Sequence, residues 1–159
     1  MNNILSFEDA VKVRETFRQE KKKVVFTNGV FDIIHAGHVD YLIKAKQEGD
    51  VLFVGMNSDA SVRRIKGEYR PVVTEEQRAF VLSNLKPVDF VVIFGEDTPL
   101  ELIGKLIPDV LIKGADWSLD NIVGKDVVLK NGGEVKTIEF VNFQSTSGII
   151  QTILERYSS

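Results

Sequence analysis

At 159 residues, with 43% hydrophobic and 27% charged side chains, the chain has the make-up of one globular domain and not of a disordered or membrane-embedded one. A net charge of −3 argues against a general nucleic-acid binder, so an anionic ligand must be met by local positive groups. Without cysteine there are no disulfides, no thiolate chemistry and no Cys-ligated zinc. The opening MNNILSFEDAVKVRETF lacks a basic stretch followed by an apolar one, and no apolar run nears the roughly 18 residues that span a bilayer. The cytoplasm is the expected compartment, with no membrane or nucleic-acid partner.

In chain order, Ser6 with Asp9 opens an amphipathic helix that turns Phe7, Ala10, Val11, Val13 and Phe17 inward, and the basic RQEKKK closes it. KVVFT is a short apolar strand of the kind a buried parallel sheet contains. A helix from about His38 to Glu48 should stop at Gly49 as its C′ residue. Val51–Met56 is a second strand, and TEEQRAFVLSNL a helix with a capping box of Thr74 and Gln77. Phe90–Phe94 is a third strand, followed by a helix with Thr98 as N-cap and Pro99 at its first position. Val110–Lys113 is a fourth strand, and a less regular helix runs around Gly124 to Asn131. Glu134–Phe140 is a fifth strand, and a final helix starts near Ser145 or Thr146. Strands alternating with helices predict an α/β domain with an open, doubly wound parallel sheet of five strands. No linker, repeat or low-complexity segment divides it, so one domain over 1–159 is expected.

Both histidines lie in the first strand-to-helix connection, TNGVFDIIHAGH, and in such sheets ligands sit beyond the strands' carboxyl ends. Neither G-x-G-x-x-G nor a Walker A pattern is present there. What remains is HAGH at a helix start. Gly37 allows close backbone approach, His35 and His38 can share one side of the first turn, and the unpaired N–H groups suit phosphate. Two histidines without a ligand are an equal alternative from these residues alone. A metal site is the weaker reading, since no further His or Cys exists.

TNGVFDIIHAGH resembles the nucleotide-binding signature of the cytidylyltransferase-like nucleotidyltransferases, whose HxGH motif contacts nucleoside triphosphate phosphates. NSD (57–59), KGEYRPV (66–72), EEQR (75–78), EDTP (96–99), PDVLIKGADW (108–117), NGGEV (131–135) and STSGII (145–150) follow in order. Together they are similar to the heptose 1-phosphate adenylyltransferases of ADP-heptose synthesis, often fused to a kinase; the stand-alone form is expected here. The resemblance implies a Rossmann-like sheet of order 3-2-1-4-5 and a homodimer, for which LIGKLI (102–107) offers an apolar stretch unless it is buried. It also implies ATP and a sugar 1-phosphate as substrates, with Mg²⁺ bound through the ATP phosphates and no metal held by the protein.

By the same resemblance, His35, His38 and Lys66 carry the chemistry, Lys66 from a mobile loop. Thr27, Asn28, Gly29, Phe31, Asp32, Gly37, Gly114, Asp116, Ser145, Thr146 and Ser147 bind nucleotide; Asn57, Asp59, Arg70 and Arg78 bind the acceptor. Each has a plainer alternative. Asp32 can form an Asx turn, Lys66, Arg63, Arg64 and Arg70 can be solvated, and Arg78 can pair with a carboxylate. Trp117 can simply pack, and one of Ser145–Ser147 must cap the last helix. Glycerol-3-phosphate cytidylyltransferases, a sister group, carry an Arg-Thr pair before their Ser-Thr-Thr run. EFVNFQSTS has no Arg, and Ser147 stands where Thr is usual, which weakens the cytidylyl alternative. A nucleotide-binding module without turnover is a further alternative.

Overall fold

A computed structural model of the chain describes residues 3–116, 118–141 and 145–158. Its strands are β1 (Ile4–Leu5), β2 (Val24–Gly29), β3 (Val51–Asn57), β4 (Phe90–Phe94), β5 (Val110–Gly114) and β6 (Glu134–Ile138). Its α-helices are α1 (Phe7–Gln19), α2 (Ala36–Lys46), α3 (Asp59–Lys66), α4 (Glu75–Ser83), α5 (Leu100–Leu106), α6 (Lys125–Lys130) and α7 (Thr146–Tyr157). The sheet has six strands, not five, in the order β1-β4-β3-β2-β5-β6, and every pair is parallel. The five expected strands take the expected order. The extra one is a two-residue edge, Ile4 and Leu5, beside Val91 and Val92 on β4, too short to leave an alternating pattern.

Alternation along the strands sends side chains to two cores. Leu52, Val54 and Met56 of β3 join Tyr41, Leu42 and Ala45 of α2 and Ala79 and Leu82 of α4 on one face. Val51 and Phe53 join Ala10 of α1, Leu102, Ile103 and Leu106 of α5 and Val128 of α6 on the other. Three of the six residues of LIGKLI are therefore spent in the core, and that stretch presents no partner face. Arg14 is also drawn inside. Its side chain, 4% exposed, donates to the Leu106 and Ile107 carbonyls and pairs with Asp109, whose carboxylate accepts from Val24 N–H.

Several local expectations change in detail. Ser6 does cap α1, accepting from Asp9 N–H. Thr74 occupies the cap position of α4 without a side-chain bond, so the capping box expected with Gln77 is not made, and Glu75 accepts from Asp59 N–H. Pro99 and not Thr98 is the residue preceding α5. Gly49 is no left-handed cap. It is glycine because a Cβ there would lie 2.7 Å from the Lys23 carbonyl oxygen and from Val25. Arg63, Arg64 and Lys66 belong to α3, a helix that the sequence pattern left unassigned.

Candidate functional site

The C-terminal edge of β2 releases the chain into Val30–His35 before α2, and this connection forms one wall of a cavity of about 580 Å³. Asn28, Gly29, Phe31, Asp32 and His38 line it from that side; Asn57, Lys66 and Arg70 line it from the β3 side. Lys113 and Asp116 at the end of β5, and Ser145, Thr146 and Ser147 at the start of α7, close it opposite. The segments meet here because all the strands run parallel, so their carboxyl ends gather at one edge.

Two helices start at this cavity, and they differ from the rest. α1, α3, α4, α5 and α6 each carry an acidic residue in the first turn; α2 and α7 carry none. No side chain caps α2, whose cap residue is His35. Their partial positive charge is thus left for an anion. On α7 the Ser145 hydroxyl is used as cap, accepting from Gly148 N–H, and Thr146 donates to the Ile33 carbonyl at 3.4 Å, while exposed Ser147 lines the cavity.

The histidine rings stack at 3.8 Å, and the Phe31 ring lies 5.3 Å from His38. Phe31 holds φ of 49° and is 5% exposed, a left-handed backbone that costs a bulky residue about 1–3 kcal/mol. His38 faces the cavity and His35 backs it, absent from the lining. Burial, with a smaller contribution from His35, pushes the His38 pKa down to about 4, and burial lowers His35 as well. Both rings are therefore neutral at pH 7. Both Nδ1 atoms are buried without a protein partner.

Asp32 organises the adjoining loop. Its carboxylate, wholly buried, accepts from Val72 and Val73 N–H and pairs with Arg70 at 2.6 Å. Burial pushes its carboxyl up, but those amides and Arg70 more than offset this and hold it below the usual range. Arg70 therefore reaches the cavity already engaged.

Other expected residues stand behind the wall. Thr27 is fully buried, its hydroxyl 2.7 Å from Tyr41 OH, and Gly37 is buried in the first turn of α2. Asn57 is 3% exposed and donates to Ser61 Oγ, though it still lines the cavity. Arg78 does not reach the cavity wall. Its side chain, 0% exposed, donates to the carbonyls of Val30, Asn57 and Val73 and pairs with Asp59 at 2.6 Å, which engages both proposed acceptor contacts internally. Lys66 is the exposed last residue of α3, and Arg64 pairs with Asp97. Gly114 is glycine because a Cβ would collide with the Phe140 ring and Asp116. Trp117 lies outside the described residues.

Lys113, Asp97, Thr98, Val123 and Phe140 also line the cavity without having been singled out. For Lys113 a signal existed: it is the lone charge closing the apolar strand Val110–Lys113, one residue before Gly114.

The chain belongs to the cytidylyltransferase-like family, whose model matches residues 26–152. It is 48% identical over 163 aligned residues, 98% of this chain and 33% of the relative, to the bifunctional protein HldE of Syntrophotalea carbinolica. The bifunctional protein HldE of Campylobacter concisus is 60% identical over 133 residues, covering 84% of this chain and 27% of that one. The chain thus spans about a third of the length of these curated relatives. A lipopolysaccharide core biosynthesis protein from Thermoplasma volcanium superposes with a TM-score of 0.63 at 31% identity, covering 77% of this chain and 99% of its own. No helix among the described residues is long and apolar enough to cross a membrane.

The depressed His38 pKa has a checkable sign. Since the folded pKa lies below the ordinary 6.5, the unfolded chain takes up the proton first, and stability falls as pH drops from 6.5 towards 4. In an NMR titration the His38 ring protons should show a midpoint near 4; a midpoint at 6 or above contradicts the buried, neutral imidazole.

Proposed function

We propose that this chain, as a single catalytic domain in the cytoplasm, transfers the adenylyl group of ATP to D-glycero-β-D-manno-heptose 1-phosphate. The products are pyrophosphate and ADP-heptose, which supplies lipopolysaccharide core synthesis. The observation that carries the reading is one cavity onto which two helix N-termini without first-turn acids converge with His38 and Lys66. The similarity to HldE proteins and to a lipopolysaccharide core biosynthesis protein supports the choice of substrates.

An oxygen of the acceptor phosphate attacks the α-phosphorus of ATP. The bond from that phosphorus to the oxygen bridging to the β-phosphate breaks, and pyrophosphate leaves with the electron pair. The acceptor is already an anion, so no general base is needed, and catalysis reduces to alignment and charge neutralisation. Neutral His38 offers a hydrogen bond from a fixed ring. Lys66 brings a flexible ammonium from the exposed end of α3. The amides starting α2 and α7 face phosphate oxygens. Mg²⁺ is proposed to enter with ATP, on its phosphates. There it would supply further charge neutralisation.

A homodimer accompanies this reading, supported by apolar Phe80 and Val81 of α4, 66% and 42% exposed. Light scattering at micromolar concentration should give twice the chain mass; a monomer removes the dimer and leaves the chemistry intact.

His38→Ala should lower kcat by about two orders of magnitude, the scale for one preorganised donor. A rise in KM at constant kcat would make His38 a uniform binder of ground and transition states. It would also favour a site that binds without stabilising the transition state. Substrate choice is read by a pyrophosphate-release assay crossing ATP and CTP with heptose 1-phosphate and glycerol 3-phosphate. ATP with the heptose phosphate should lead every other pair by at least about tenfold in kcat/KM, or ~1.4 kcal/mol. Preference for CTP or for glycerol 3-phosphate overturns the proposed substrates.

A further inference from the structure

Lys113 has no part in the chemistry above, yet it occupies a central position in the cavity. The strand order reverses between β2 and β5: β3 and β4 extend from one side of that pair, β6 from the other. Open parallel sheets hold their ligands in the crevice beyond this reversal. Leu111 pairs with Phe26, so Lys113, two residues further on, stands level with Asn28 at the mouth of the crevice. On its other side it pairs with Thr137 of β6. Lys113 lines the main cavity and also an adjoining recess of about 140 Å³, together with Asn28, His38, Asp116 and Phe140.

Other charges also stand around the cavity. Arg70 is paired with Asp32, and Lys66 stands at the exposed rim. Asp97 is paired with Arg64, and His38 on α2 is neutral at pH 7. Asp116, three residues along the same loop, is the acid beside Lys113.

We propose that Lys113 is a catalytic residue that binds the nucleotide's phosphate chain beside His38, while Lys66 serves the outer, exposed end. This rests on the reading of the cavity as a nucleotide site. The consequence is measurable because burial brings the Lys113 pKa down to about 8, against the opposing pull of Asp116. Near pH 8 the free site holds Lys113 about half protonated, and a bound phosphate anion favours the ammonium form, so binding draws in a proton.

The test uses Mg²⁺ and α,β-methylene-ATP, which cannot be cleaved at the reacting bond, in titration calorimetry at pH 8 in buffers of different ionisation enthalpy. The wild-type chain should take up about half a proton per site, and Lys113→Arg and Lys113→Met none. In the pyrophosphate assay, wild-type kcat/KM should decline on the alkaline side with an apparent pKa near 8. Lys113→Arg, which keeps its charge, should lose that decline, and Lys113→Met should lose activity about 100-fold or more. Circular dichroism establishes that each variant is folded, and the Arg variant alone decides the matter if the Met variant is not. Proton uptake or an alkaline decline unchanged in Lys113→Arg overturns the role of Lys113 with the nucleotide site intact. No binding of the analogue to the wild-type chain overturns the nucleotide site, and this inference with it.

Discussion

The buried guanidinium of Arg78 is the constraint on which the site's geometry depends. Its donors take the carbonyl of Val30 just past β2, that of Asn57 at the end of β3 and that of Val73 before α4, and its charge is met by Asp59 at the start of α3. Three chain segments are thereby held at one point, with both charges satisfied. A buried arginine is tolerable only on those terms, since an unpaired one carries a desolvation penalty of several kcal/mol. Asp32 works alongside it, gathering Val72 N–H, Val73 N–H and Arg70 onto the β2–α2 connection. The loops around the cavity are therefore tied to the sheet by buried polar groups with several partners each, which is what a preorganised site requires.

Electrostatics in the cavity are local. A chain with net charge −3 has no overall field to attract an anion. Positive potential is left instead where acids are absent: the first turns of α2 and α7 carry none, although the other five helices do. The histidines add donors without charge, because burial keeps both neutral. Phe31 has a part in this burial, accepting a left-handed backbone so that its ring lies beside His38.

Much of this was legible in residues with a local cause. Ser6 followed by Asp9 marks a helix start that depends on four consecutive residues, and it formed as read. Where tertiary contacts competed, local reading failed. The capping box expected of Thr74 and Gln77 is not made, and Gly49 is small because the Lys23 carbonyl presses on it, not because a helix turns left-handed there. β1 escaped notice because a two-residue edge has no period, and α3 because its exposed face bears Arg63, Arg64 and Lys66.

The sequence by itself determined the succession of the five main strands and of the helices other than α3, and that HAGH stands where a strand hands over to a helix, since apolar period and helix-start chemistry act over a few residues. The order of the five main strands came with the family resemblance. Only the tertiary structure decided which polar residues face the cavity. Arg78 and Lys113 are both single cations in the sequence, one on a helix and one ending a strand. Packing buries the first among three carbonyls and sets the second on the cavity wall where the strand order reverses. The direction of a long charged side chain depends on the carbonyls and carboxylates that distant segments bring within reach, and those distances exist only in the folded chain.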